Sequence, residues 1–272
     1  MAEKNLSRGD IWFDIMTKGY TVRHGQCASV RVADGKLDGK EARIIAVVPD
    51  ADNRYPRAAK GEVGLLEGWT LGKVVAEAVK ADEDKAPEDK RAIIAVIDVP
   101  SQAYGRREEA FGIHLALAAS AGAYATARLA GHPVIGLIVG KAMSGAFLAH
   151  GYQANRLIAF NDKEVLIHAM GKASAARITK RTVDSLEELA STIPPMAYDI
   201  ANFATLGLLE NLLDIANPDA PSPDEVDFVK STVIKAIETA RAGGVTLENR
   251  LGSPNRAGTV SVRAKMREQW AA

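Results

Sequence analysis

Four short apolar runs constrain this chain more than any other feature. ARIIAVVPD (42–50), RAIIAVIDVP (91–100), HPVIGLIVG (132–140) and NRLIAFND (155–162) are dense in isoleucine and valine and do not alternate cleanly with polar residues. A strand with one wet face alternates; a strand apolar at nearly every position belongs in a sheet covered on both faces. KEVLIHAM (163–170) is a fifth candidate. Helical patterns separate the runs: EVGLLEGWTLGKVVAEAVKADED (62–84), and the longer REEAFGIHLALAASAGAYATARLAG (107–131), closed by a glycine. Strand and helix in alternation predict an α/β chain with crossover connections.

Ahead of the first run, TVRHGQCASVRVADGKLDGKEARIIAVVPD (21–50) predicts two or three strands, with Asp34-Gly35 and Asp38-Gly39 as turn signals. Beyond residue 171, KASAARITK, SLEELASTI and AYDIANFATLGLLENLLDI read as helical. PDAPSP (218–223) is a break, and DEVDFVKSTVIKAIETARAGG (224–244) is an amphipathic helix whose acidic start and basic finish complement its dipole. The expected division is a core over 1–217 and, over 218–272, a helix and tail that pack on the core or on a partner. KADEDKAPEDKR (80–91) is expected to be a solvated loop. There is no internal repeat.

Bulk chemistry narrows the functional classes. Lysine plus arginine and aspartate plus glutamate both number 34, so no net charge draws the chain to nucleic acid or to an anionic membrane. The one cysteine, Cys27, excludes an intrachain disulfide and a multi-cysteine metal site. MAEKNLSRGD lacks the apolar segment of a signal peptide, and no stretch reaches the roughly 20 apolar residues of a membrane helix. A cytoplasmic protein is the expectation.

The turn AMSGAF, at the end of the third run, concentrates small residues where a strand gives way to a helix. A dinucleotide fingerprint needs GxGxxG and a P-loop needs GxxxxGK with serine or threonine; neither occurs. Around Ser144 the outer glycine of a GxSxG elbow is missing. His150 lies six residues along, about 9 Å by helical rise, too far for a direct bond to Ser144. Ser144 therefore reads as a small polar helix cap or, less economically, as a nucleophile. The five histidines, His24, His114, His132, His150 and His168, fit no compact ligand spacing, so no metal is expected.

What remains is backbone. Gly145 and Ala146 fall in the first helical turn, whose N–H groups lack intrahelical partners. SQAYGRREEAFG, after the second run, repeats the logic: Pro100 ends the strand, Gly105 permits an unusual backbone angle, and a helix opens near Arg107. Two such turns at one sheet edge can aim two N–H groups at a single carbonyl oxygen. Two ordinary strand-to-helix corners are the plainer alternative.

The segments IDVPSQAYGRREEAFGIHLALAASAGAYATARLAGHPVIGLIVGKAMSGAFLAHG and LIAFNDKEVLIHAMGKASAARI resemble the carboxyltransferase branch of the crotonase superfamily. More closely, nearly the whole chain is similar to the gamma-subunit family of biotin-independent malonate decarboxylases, including TVRHGQCASVRV and LLDIANPDAPS. The resemblance implies a crotonase (ClpP-like) α/β fold of stacked ββα and βαβ units with peripheral helices. It implies an obligate beta subunit meeting this chain face to face. The activity implied is decarboxylation of malonyl-S-[acyl-carrier protein] to acetyl-S-[acyl-carrier protein] and CO2. The substrate would ride on a phosphoribosyl-dephospho-coenzyme A arm of the acyl carrier subunit, with an acyl carrier transferase subunit in the holoenzyme and no cofactor on this chain. The site residues implied are Gly145, Ala146, Gly105 and Tyr104 for catalysis, and Ser144, Met143, Gly171 and His150 for substrate binding. Two departures stand out. Ser101 replaces the glycine that carboxyltransferases place after the proline, and Met143-Ser144-Gly145 replaces an aromatic residue and two glycines. A biotin-dependent carboxyltransferase half and a non-catalytic scaffold for the beta subunit and carrier are the competing readings.

Overall fold

The computed structural model describes residues 6–271. Part of the segment that carries the signal-peptide reading, residues 1–5, lies outside them. The strands are β1 (Thr21–Val22), β2 (Val30–Leu37), β3 (Lys40–Val47), β4 (Ala92–Val99), β5 (Val134–Met143), β6 (Arg156–Phe160), β7 (Ile167–His168) and β8 (Asn211–Leu213). The helices are α1 (Arg8–Met16), α2 (Leu65–Ala81), α3 (Arg106–Ala110), α4 (Ile113–Leu129), α5 (Ser144–Ala149), α6 (Lys172–Thr179), α7 (Val183–Thr192), α8 (Ile200–Ala204), α9 (Pro223–Ala242) and α10 (Ala257–Ala271).

One sheet runs in the order β1-β2-β3-β4-β5-β6-β8, with β7 pairing the far end of β5. β1, β2 and β3 are antiparallel; every pair from β3 to β8 is parallel. The apolar runs behave as their composition requires. Ile93, Ile94, Ala95, Val96 and Ile97 are all buried, on both faces of β4. α1 packs on β3, β4 and β5, and α9 on β5 and β6. α2 and α4 pack on each other, with Gly68 and Gly72 giving the close approach: a Cβ on Gly68 would fall 2.9 Å from the Ala116 backbone. The expected helix over 224–244 is α9. Its Ser222–Glu225 capping box and Pro223 start it, and Val229, Val233, Ala236 and Ala240 form its buried stripe.

Four expectations need correction. The pattern over 107–131 is two helices, because Gly112 adopts a left-handed φ of 83° between α3 and α4. The apolar AYDIANFATLGLLENLLDI holds only the short α8, and its end supplies β8, which pairs with β6. Asp38-Gly39 makes the β2–β3 turn, with both φ values positive, but Asp34-Gly35 lies within β2 opposite Arg43 and Ala42. Segment 80–91 is not wholly solvated. Asp82 is fully buried and takes two side-chain bonds from Arg91, at 2.8 Å each, plus its backbone N–H. These bonds outweigh the cost of burial and hold the Asp82 carboxyl well below its ordinary value.

At its far end β5 outruns its neighbour. Ile97 pairs with Ile138, but Val99 pairs with Ala142, so the ladder is irregular there. Asp98 fills the gap by accepting the Lys141 N–H at 3.0 Å, and Gly140 makes room, since a Cβ there would meet Asp98 Oδ1 at 2.2 Å. This irregularity carries β5 on to Met143 and sets where the AMSGAF turn begins.

Candidate active site

Three turns meet at the carboxyl ends of β4, β5 and β7, the edge where open α/β sheets bind ligands. The turn after β4 is tied down by Val63, whose N–H donates to Ser101 O at 3.0 Å and whose carbonyl accepts from Ala103 N–H at 2.8 Å. The turn after β5 is set by Ser144, a non-glycine residue at φ 57°. The turn after β7 is brought alongside by the Ala142–Ile167 and Met143–His168 pairs. Between the turns lies a cavity of about 590 Å³, lined by Ser101, Gln102, Tyr104, Ser144, Met170 and Gly171, with Arg57 and Arg177 among its charged residues. A second cavity of about 290 Å³ lies on the other side of Ser144, against Gly145, Phe147, Leu148 and His168.

The structure thus brings together Tyr104, Ser144 and Gly171, with Gly145 just across Ser144. Ser144 is not a side-chain helix cap: Met143 holds that position and α5 has no capping bond at its start. The positive φ at Ser144 costs on the order of 1–3 kcal/mol, strain that collects at functional turns. Met143 is buried, Ala146 is fully buried, and neither lines either of these two cavities. Gly105 caps α3 with φ −179°, an extended conformation open to any residue, so the unusual angle expected there is absent. Its carbonyl accepts from Glu109 N–H at 2.9 Å.

His150 lies in the core, fully buried and away from both cavities. Its Nε2–H donates to Val96 O at 3.0 Å, because a carbonyl can only accept, and Nδ1 therefore accepts from the Tyr124 hydroxyl at 3.0 Å. The pair ties the end of α5 to β4. Burial pushes the His150 imidazole down to about 4 from 6.5. Between those values the unfolded chain binds a proton that the folded chain does not, so this contribution to stability is full above pH 6.5 and is lost as pH falls toward 4. At about 1.4 kcal/mol per pH unit, wild type should lose about 2 kcal/mol more than His150→Gln between pH 7 and pH 5, measured by urea unfolding. Equal losses would contradict this account.

Sequence reasoning missed three residues. Arg57 stacks over the Tyr104 ring at 4.4 Å and pairs with Glu62, whose hydrogen bonds hold it charged. His168 stacks on Tyr198 at 3.9 Å. Gln102 accepts the Gly145 N–H on Oε1 at 2.9 Å, joining the first two turns directly. Its position in the same polar turn as Tyr104 was the available signal. Among the described residues there is no cluster of three or more His, Cys, Asp or Glu able to hold a metal ion. No described helix is long and apolar enough to cross a membrane.

This mixed α/β arrangement of alternating strands and helices around one open sheet is consistent with the crotonase fold. It is similar to that of transcarboxylase 12S, with TM-score 0.62 and 19% identity over 86% of this chain and 40% of that one. Residues 58–270 match the family described as MdcE, malonate decarboxylase gamma subunit, and the chain belongs to that family. It is 57% identical to a chain of a Pseudomonas malonate decarboxylase hetero-tetramer in complex with coenzyme A (97% of this chain, 100% of that one, TM-score 0.92). It is 54% identical to a chain of the Pseudomonas MdcD-MdcE hetero-dimer (97% and 99%, TM-score 0.89). The malonyl-S-ACP:biotin-protein carboxyltransferase MADD of Malonomonas rubra is 36% identical over 212 residues, 77% of this chain and 69% of that protein.

Proposed function

We propose that this chain builds one half of a site in which a malonyl thioester, held on a carrier protein, loses CO2. The observation that carries this reading is the cavity of about 590 Å³ between the three turns, with the exposed Ile178 and Tyr104 at its wall. The beta subunit of the complex would close it, as the hetero-dimeric form of the Pseudomonas relative supports. The reaction breaks the bond between the α-carbon and the carboxylate. The electron pair left on that carbon delocalises onto the thioester oxygen as an enolate, and a proton delivered to the α-carbon completes the acetyl thioester. Donors fixed at the oxygen, where charge develops, lower that barrier directly. The apolar wall of the smaller cavity favours loss of the carboxylate's hydration.

In this reading the turn of Gly145, whose N–H holds Gln102 Oε1, stabilises the oxyanion, with Gly105 opening the neighbouring turn and the fully buried Ala146 supporting the first from behind. Tyr104 stands at the reacting group as a candidate proton donor. Ser144 and Gly171 line the pocket, and Met143, buried at the end of β5, backs it. His150 supports it from the core through its bond to Val96. The acyl chain would arrive on the phosphoribosyl-dephospho-coenzyme A arm of the acyl carrier protein, and an acyl carrier transferase subunit would renew the malonyl form from free malonate. The protein would work in the cytoplasm.

Decarboxylation needs no acyl-serine. Among the described residues no histidine nitrogen bonds the Ser144 hydroxyl, and both ring nitrogens of His150 are bonded elsewhere. Ser144→Ala should therefore retain activity within several-fold. A dead but assembled Ser144→Ala complex, with an acylated Ser144 in the wild type by mass spectrometry, would replace this mechanism with a covalent one.

The similarity to a malonyl-S-ACP:biotin-protein carboxyltransferase favours a second reading, transfer of the carboxylate to biotin. Avidin separates the two. Release of CO2 from malonyl-carrier unaffected by avidin supports the decarboxylase, and avidin-sensitive conversion of malonyl- to acetyl-carrier, with the carboxylate recovered on a biotinyl protein, supports the transferase.

A further inference from the structure

The Gly145 N–H does not face open space. It is taken by the Gln102 carboxamide oxygen at 2.9 Å, and a Cβ on Gly145 would contact Gln102 Oε1 and Leu117 Cδ1, each at 3.4 Å. The backbone on either side of Gln102 is held by the two bonds to Val63, at Ser101 O and Ala103 N. The carboxamide is therefore fixed at both ends. Its orientation is fixed too, because only the oxygen can accept from Gly145 N–H. The nitrogen, with two N–H donors, has no protein acceptor among the described residues. Gln102 is half-buried and lines the larger cavity beside Tyr104 and Ser144.

We infer that Gln102 Nε2 is the donor this chain offers to the thioester oxygen, and that Gly145 acts through it as a positioning residue. The inference rests on the malonyl-thioester reading of the site. An N–H bond accepted at the carboxamide oxygen polarises the group and strengthens its own N–H donors. Such a donor is neutral, so it favours the enolate oxygen that forms in the transition state without anchoring the ground-state carboxylate as a cation would. The competing geometry makes Gln102 a plug that must leave before substrate reaches Gly145.

Two variants in the complex with the beta subunit separate these. Gln102→Glu keeps an oxygen for Gly145 N–H but removes the nitrogen donors; Gln102→Ala removes the side chain and frees the Gly145 N–H. Both should lower kcat about 10²-fold, with KM for malonyl-carrier changed only a few-fold. Wild-type or faster turnover by Gln102→Ala would make Gln102 a plug and overturn the inference, as would near-normal turnover by Gln102→Glu. A second readout does not depend on turnover. The carbonyl stretch of a bound, isotope-labelled acetyl-coenzyme A should lie lower in the wild-type complex than in Gln102→Glu, where the donor is gone. An identical stretch in both overturns the inference even if decarboxylation is confirmed. A lowered stretch in a wild-type complex that releases no CO2 supports the Gln102 contact while sinking the malonyl-thioester reading.

Discussion

Gly145→Val should cut decarboxylation by the assembled complex about 10²-fold or more, the loss typical of removing one oxyanion donor. The reason is local. A Cβ at position 145 sits 3.4 Å from Gln102 Oε1 and from Leu117 Cδ1, ordinary contact that alanine tolerates. Valine adds two methyl groups at that Cβ, and they press on the carboxamide and on α4. The Gly145–Gln102 bond breaks, and the turns after β4 and β5 lose their direct link. Gly145→Ala should stay within about tenfold of wild type. Steady-state CO2 release from complexes matched for assembly is the measurement. Near-normal turnover by a folded Gly145→Val complex would remove Gly145 from the site.

Ala118→Arg should weaken association with the beta subunit at least ~10²-fold, and activity should fall with it. The sequence of α4, IHLALAASAGAYATARL, is apolar on most sides, and α2 packs against it on one of them. Ile113, Ala116, Ser120, Tyr124 and Ala127 face inward. Leu115, Ala118, Gly122 and Leu129 remain exposed, spaced three to seven residues apart along one side of α4, with Ala125 half-buried among them and Phe111, which ends α3, exposed just ahead of them. Phe111 is 65% exposed and Leu115 59%. A contiguous apolar stripe of this kind marks a protein interface. An arginine at its middle would be buried without a partner charge. Sedimentation of the chain with and without the beta subunit reads the effect directly. Unchanged association by Ala118→Arg would place the interface elsewhere.

The strands that build the site were legible because a doubly covered sheet demands apolar residues at every position, a pattern that β4 and β5 meet almost without exception. β8 was not legible. LLENLLDI satisfies a helical period as well as an extended one, and only its pairing with β6 settles the choice. α1 was also missed. It is one short amphipathic segment, started by the Ser7–Asp10 capping box and held by Trp12 donating to Pro218 O, a partner 206 residues away. The AMSGAF turn was legible because small residues at a strand end have few other uses. Gln102 was not, because a glutamine in a polar turn looks like any solvated residue until a second turn, 43 positions on, supplies the N–H that orients it. His150 erred the other way. The family resemblance gave it a pocket role, whereas its bonds to Val96 and Tyr124 lie in the core.

The central claim is that the site is composite, and reconstitution tests it most directly. Malonyl-carrier should be supplied to this chain alone, to the beta subunit alone and to their mixture, with CO2 release followed in each. The account predicts release by the mixture and essentially none by either chain. Full activity by the beta subunit alone, unchanged when this chain is added, would contradict it and leave this chain a scaffold.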